Sequence, residues 1–156
     1  MTPVVHIVTG ASSGVGALLA RRLAAQGHLV AAVARSLDKL TALAAEPTAG
    51  RIVPFALDVA DWAAAATTVA RIERELGPIA VLVNNAAVFD LKPFDEQDVP
   101  TIRRLLATNV EGTIAWTHAV VPKLKQRRIG RIVNVASRAA YRGDSPAHWH
   151  YADSKA

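Results

Sequence analysis

Tyr151 and Lys155 stand four positions apart in this 156-residue sequence. On a helix that spacing is one turn, which sets both side chains on one face, close enough to couple electrostatically. A phenol alone is a poor base near neutral pH, and a neighbouring ammonium favours its ionised form. The pair therefore suits general acid–base work at a substrate oxygen. The same spacing also describes an ordinary helix-face pair, so the chemistry needs support from elsewhere in the chain.

A second cluster has the character of a phosphate cradle. Thr9-Gly10-Ala11-Ser12-Ser13-Gly14-Val15-Gly16 joins an apolar, β-branched run to a helical one. Glycines at such a junction let the main chain approach a pyrophosphate held by the helix N-terminus. A tight turn needing positive φ would ask for glycine as well. Asn85, Asn109 and Ser137 are further polar candidates. Taken singly, they read as a turn residue, a solvated helix residue and a strand terminator.

The elements that must position these groups follow from periodicity. Residues 4–9 form a branched run, and 17–26 carry Leu19 and Leu23 at helical spacing before Gly27. The alternation continues with a strand at 29–34, a helix at 37–45, and a strand at 51–56 closed by Asp58. Asp61 is placed to cap a long alanine-rich helix reaching Glu75, and Gly77-Pro78 breaks it before a strand at 79–83. A second long helix is expected over 101–125, then a strand at 131–135. Apolar strands without polar alternation, interleaved with helices, predict a doubly wound parallel α/β sheet covered on both faces. No repeat or linker interrupts the series, so one domain over 1–156 is expected.

Composition narrows the function classes. With 51% hydrophobic and 20% charged residues, the chain has material for a packed core. No apolar stretch approaches the roughly 20 residues of a membrane-spanning helix, so no membrane role is expected. Zero cysteines remove thiol nucleophiles and thiolate metal sites. With no secretory signal pattern after Met1, the expected location is cytoplasmic. The histidines have no partners at metal-ligand spacing, so no metal is predicted. Part of the net charge of +5 lies in Lys123, Lys125, Arg127, Arg128, Arg131, Arg138 and Arg142. Such a run either meets an anion or closes a helix and stays solvated. Nucleic-acid binding is disfavoured, because no aromatic residue interleaves with it before Tyr141. His148, Trp149 and His150 either line a substrate pocket or pack in a loop.

The glycine spacing is T-G-x-x-x-G-x-G, not the general G-x-G-x-x-G fingerprint. With Asp58-Val59, Asn84-Asn85-Ala86, Asn109, Ser137 and Tyr151-Ala152-Asp153-Ser154-Lys155 in that order, the sequence resembles the short-chain dehydrogenase/reductase family over almost its whole length. The resemblance implies an oxidoreductase that interconverts a secondary alcohol and a ketone. Asn109, Ser137, Tyr151 and Lys155 would be its working group. Tyr151 would move the proton, Lys155 would also contact the nicotinamide ribose, Ser137 would bond the reacting oxygen, and Asn109 would hold a relay water. Thr9, Gly10, Ser12, Ser13, Gly14, Val15, Gly16, Arg35, Asp58, Val59, Asn85 and Ala86 would contact the cofactor. Ala34-Arg35 stands at the end of the second strand, where an arginine accepts the extra phosphate of NADP, so NADP(H) is preferred over NAD(H). Asp38 fits the first turn of a helix instead.

Two features depart from the family pattern. Ala87 stands where many members have glycine after Asn-Asn-Ala. Members also continue beyond the lysine into further helix, at least one strand, a substrate loop and a closing helix, so the C-terminal strands and helices of the fold are expected to be lacking. Members are usually homodimers or homotetramers, associating through the long helix after Pro100 and the one that begins at Tyr151. Two alternatives remain: an inactive nucleotide- or partner-binding module, or a fragment of a longer enzyme.

Overall fold

Branched and alanine-rich runs make five parallel strands, β1 (Val5–Thr9), β2 (Leu29–Ala34), β3 (Arg51–Ala56), β4 (Ile79–Asn84) and β5 (Arg131–Asn134), ordered β3-β2-β1-β4-β5. The computed structural model describes residues 4–90, 92–142 and 149–156. Between the strands run α1 (Gly14–Ala25), α2 (Leu37–Ala44), α3 (Trp62–Leu76), α4 (Val99–Leu106) and α5 (Gly112–Arg127); α6 (Ala139–Arg142) and α7 (Trp149–Ser154) follow β5. This is the doubly wound α/β sheet that the periodicity predicts.

Strand alternation sends side chains to two cores. Val8, Val30 and Ala32 meet Ala17, Ala20 and Ala24 of α1 and Leu40 and Leu43 of α2. Ile7, Val33, Phe55 and Leu82 meet Val69 and Ile72 of α3 and Trp116 and Val120 of α5 on the other face. Each large apolar side chain so buried stabilises the fold by about 1.5–3 kcal/mol. The chain winds outward from β1 to β3, then returns to β4 on the other side of β1. The carboxyl ends of β1 and β4 therefore flank a topological switch point, where such sheets open a crevice.

Several boundaries differ from the sequence expectation for local reasons. Helix α1 starts at Gly14, so two of the three glycines lie in its first turn. Asp61 caps α3 as expected, accepting from the Ala64 amide at 2.9 Å. Asp98 does the same for α4, accepting from Thr101 at 2.7 Å, which starts that helix at Val99. The expected uninterrupted helix carries a π-turn, Ala107–Glu111, between α4 and α5. Such a turn holds one extra residue and is common at functional sites.

The basic run is divided. Arg127 bonds Glu73 of α3 at 2.6 Å and donates to the Ile79 carbonyl at 2.9 Å, while Lys123 lies 3.5 Å from the same carboxylate. Burial raises the Glu73 carboxyl, but the Arg127 hydrogen bond, the Ile79 N–H and the two positive charges together outweigh it and hold it below its ordinary range. These side chains tie the ends of α3 and α5 to the start of β4. Arg128 adopts a left-handed φ of 55° and ends α5. In the central strand, the buried His6 ring of β1 lies 4.5 Å from that of His28, and its Nδ1 has no hydrogen-bond partner.

Candidate active site

The glycine-rich turn is fastened to the strand beside it. The Asn85 main-chain N–H donates to Thr9 Oγ1 at 3.0 Å, and its side-chain Nδ2 donates to the Thr9 carbonyl at 2.9 Å. Thr9 Oγ1 also accepts from the Ala86 amide at 3.1 Å. A Cβ on Gly16 would collide with the Gly10 carbonyl oxygen and lie 2.5 Å from Asn85 Nδ2. At Gly14, with φ of 53°, a Cβ would meet nothing within 4 Å. Glycine at 16 thus permits a close approach, whereas glycine at 14 supplies a left-handed turn that opens onto free space.

Beside the turn is a cleft of about 470 Å³ lined by Gly10, Ser12, Ser13 and Val15 of the turn, by Ala34 at the end of β2, Arg35 and Ser36 after it and Lys39 of α2, by Leu57, Asp58 and Val59 after β3, by Asn85, Ala86, Ala87 and Val88 after β4, and by Thr108 of the π-turn. Nine of the sequence-predicted contacts are on its wall: Gly10, Ser12, Ser13, Val15, Arg35, Asp58, Val59, Asn85 and Ala86. Thr9 is buried behind it, and neither Gly14 nor Gly16 lines it. A volume of this size, with glycine-lined backbone at a helix N-terminus, fits the pyrophosphate and adenosine portions of a dinucleotide. Val59 also supports the fold, since a Cβ on Gly112 would come within 3.1 Å of it.

Ser36 and Lys39 were not read from the sequence as site residues. Lys39 stands four positions after Arg35, in the first turn of α2, and its charge so near that residue is the available signal. Arg35 reaches to 4.0 Å from Asp58, with both side chains exposed, and is a loose pair of little energetic weight. Asp38 falls in the first turn of α2 and does not line the cleft.

The other group lies where α7 packs on α4 and α6. Asn109 sits in the π-turn and is buried. Its Oδ1 accepts from the Val88 amide at 2.8 Å, and Nδ2 donates to the Val88 carbonyl at 3.0 Å and to Ser154 Oγ at 2.9 Å. Its main-chain carbonyl accepts from Thr113 Oγ1 at 2.9 Å. Both amide protons are thus committed, and a water at Asn109 would need a remaining lone pair on one of its oxygens.

Tyr151 belongs to α7, its ring edge-on to Phe89 at 4.7 Å. Helix α7 ends at Ser154, and Lys155 is the turn residue that follows; its amide donates to the Ala152 carbonyl at 3.1 Å. The Tyr151 carbonyl instead accepts from Ser154 Oγ at 2.8 Å. Burial lowers the Lys155 ammonium from its ordinary range. Ser137 follows β5, and its Oγ accepts from the Ala139 amide at 3.2 Å to start α6. No hydrogen bond among the described residues joins Ser137 to Tyr151.

His150 is buried, with both ring nitrogens unpartnered, and Trp149 is exposed; their rings lie 6.3 and 6.2 Å from that of Phe94. His148 lies outside the described residues. Among the described residues, no three His, Cys, Asp or Glu side chains gather as a metal set, and no helix is long and apolar enough to cross a membrane.

A parallel sheet with a glycine-lined cleft at its switch point defines a dinucleotide-binding α/β protein. The short chain dehydrogenase family profile matches residues 4–156, and the chain belongs to that family of oxidoreductases. It is 37% identical over 133 residues to an acetoacetyl-CoA reductase of Paracoccus denitrificans, covering 85% of this chain and 54% of that protein. Among solved structures, it resembles a metagenomic short-chain oxidoreductase in complex with NADP (TM-score 0.90, 31% identity, 97% of this chain and 70% of that one). It also resembles an NAD+-bound xylitol dehydrogenase (TM-score 0.92, 30% identity, 97% and 59%). The chain spans about half the length of the curated relatives it matches.

Proposed function

We propose that this chain carries the cofactor cleft and proton-transfer group of an NADP(H)-dependent oxidoreductase that interconverts a secondary alcohol and a ketone, its sheet and helices acting as one nucleotide-binding domain. The observation that carries the cofactor preference is the cluster of Arg35, Ser36 and Lys39 at the cleft edge beyond β2, with Asp38 turned into the first turn of α2. Two cations and a hydroxyl suit a phosphate ester better than the bare ribose hydroxyls of NAD. The acetoacetyl-CoA reductase likeness supports carbonyl chemistry. When bound, the nicotinamide supplies or accepts the hydride.

In this reading Gly10, Ser12, Ser13 and Val15 seat the pyrophosphate, and Asp58, Val59, Asn85 and Ala86 flank the bases and ribose. Thr9, Gly14 and Gly16 shape the turn that presents these contacts. Tyr151 gives its phenolic proton to the carbonyl oxygen during reduction and takes it back during oxidation. Lys155 holds the nicotinamide ribose, Ser137 orients the reacting oxygen, and Asn109 anchors the relay water through a remaining lone pair. Self-association along α4 and α5 belongs to the same reading, supported by exposed Leu106 and Ile114. A cytoplasmic setting is supported by the cysteine-free sequence.

The test is fluorescence titration of the chain with NADPH and NADH, followed by turnover with a panel of ketones and alcohols. The expected result is tighter binding of NADPH and turnover that Tyr151→Phe abolishes while NADPH binding persists. Binding without turnover in the parent would support a nucleotide-binding module instead, and equal affinity for both cofactors would remove the NADP assignment.

A further inference from the structure

We infer that Ser154 is a positioning residue, whose hydroxyl latches the Asn109 side chain, and with it the π-turn, to the helix that carries Tyr151. The inference rests on the proposed roles of Asn109 and Tyr151 in proton transfer.

A serine hydroxyl has one proton to donate and two lone pairs to offer. Here the proton goes to the Tyr151 carbonyl at 2.8 Å, and a lone pair takes Asn109 Nδ2–H at 2.9 Å. Asn109 spends its other amide proton on the Val88 carbonyl at 3.0 Å and accepts the Val88 N–H at 2.8 Å. One unbroken series of hydrogen bonds thus joins α7, the π-turn and the segment after β4. Ser154 and Asn109 are 7% and 4% exposed, so water does not replace a lost partner without cost. Among the described residues, the Ser154–Asn109 contact is the one side-chain hydrogen bond that leaves α7.

The bond directions matter to the proposed chemistry. The Tyr151 carbonyl would ordinarily receive the amide of Lys155 in a continuing helix. That amide turns to Ala152 at 3.1 Å, and the hydroxyl of Ser154 takes its place at Tyr151. Removing the hydroxyl would leave one buried Asn109 N–H and the Tyr151 carbonyl without these partners. The carboxamide would then be free to rotate away from Val88, whose neighbours line the cofactor cleft. A serine serving only to close α7 would affect the Tyr151 carbonyl and leave Asn109 unchanged.

The decisive measurement is hydrogen exchange of the Asn109 side-chain amide in the 15N-labelled chain, with its resonances assigned by their loss in Asn109→Ala. Both Nδ2 protons are expected to exchange more slowly than those of exposed asparagines. Ser154→Ala should speed one of them by about tenfold, the loss of one hydrogen bond, and Ser154→Thr should restore the slow rate. Unchanged exchange in Ser154→Ala overturns the latch. So does an Asn109 proton in the parent chain that exchanges as fast as an exposed one, a measurement that stands even if Ser154→Ala fails to fold.

In turnover with NADPH and a ketone, Ser154→Ala should lower kcat by about tenfold or more with KM for NADPH unchanged, and Ser154→Thr should recover it. A matching loss of NADPH affinity would overturn the positioning role. A parent chain that binds NADPH but turns nothing over defeats the catalytic reading, whereas the exchange experiment still judges the latch.

Discussion

Thr9 and Asn85 are joined twice, with Asn85 the donor each time: its main-chain amide donates to the Thr9 hydroxyl at 3.0 Å, and its side chain donates to the Thr9 carbonyl at 2.9 Å. The same hydroxyl gives its own proton to the Val83 carbonyl at 3.3 Å. One side chain thus splices the ends of β1 and β4 at the point where the sheet opens. Thr9→Val keeps the shape and removes three hydrogen bonds, so it should cost about 1–3 kcal/mol in chemical denaturation. Thr9→Ser retains the hydroxyl and should lose about 1 kcal/mol or less. Equal losses for the two variants would show that the methyl group, not the hydroxyl, holds the junction.

Gly16→Ala places a methyl group against the Gly10 carbonyl oxygen and 2.5 Å from Asn85 Nδ2. Both obstacles belong to the fastened turn, so the strain should cost about 1–3 kcal/mol and displace the cradle. The expected outcome is a lower thermal midpoint together with loss of nucleotide binding. A variant with parental stability and affinity would mean that the turn yields easily.

Arg35→Ala should weaken NADPH binding by about 10- to 100-fold, the range for losing a charge-assisted contact, and change NADH binding by less than about threefold. Lys39→Ala should act in the same direction with a smaller effect. Titration of both variants with both cofactors checks this, and equal loss for NADPH and NADH would argue against a phosphate contact.

The His6 imidazole is lowered from its usual value, first by burial and then by the charge of His28, against a raising hydrogen bond that the ring donates to the Val4 backbone. The unfolded chain therefore binds the His6 proton at a higher pH than the folded one does. Its contribution is fully present above about pH 6.5 and is lost as pH falls from there through the folded value. Urea midpoints between pH 7.5 and 5 should decline in the parent and decline less in His6→Leu. Parallel declines would remove His6 as the source.

Much of the architecture is legible in the order of residue types. Runs such as Val5–Thr9 and Leu29–Ala34 announce buried strands because parallel strands are apolar on both faces, and Asp61 announces α3 because it can accept from the amide three residues on. The cleft is legible in part: glycine spacing marks its floor, and Arg35 marks its rim. What escapes is set by contacts between distant segments. The π-turn at Asn109 answers to Val88 and Ser154, which helical periodicity cannot reveal. Lys39 becomes a cleft residue only when α2 lies beside the turn after β3. Lys155 lies past the end of α7, its amide on the Ala152 carbonyl while the Ser154 hydroxyl meets that of Tyr151, contacts that an i, i+4 spacing does not announce.

The π-turn also makes this stretch unusually sensitive to length. An α-helix advances by about 100° per residue, so excising one codon anywhere in 107–111 could yield a continuous helix of high propensity. Because the wide turn holds one residue more than an α-turn, that helix would leave Leu105 before it and Trp116 and Val120 after it facing the core as they do now. What it would lose is the widened turn that sets the Asn109 side chain against Val88. A loss of one residue, silent to any measure of helix content and to the core on either side, would thus be felt at the cleft alone.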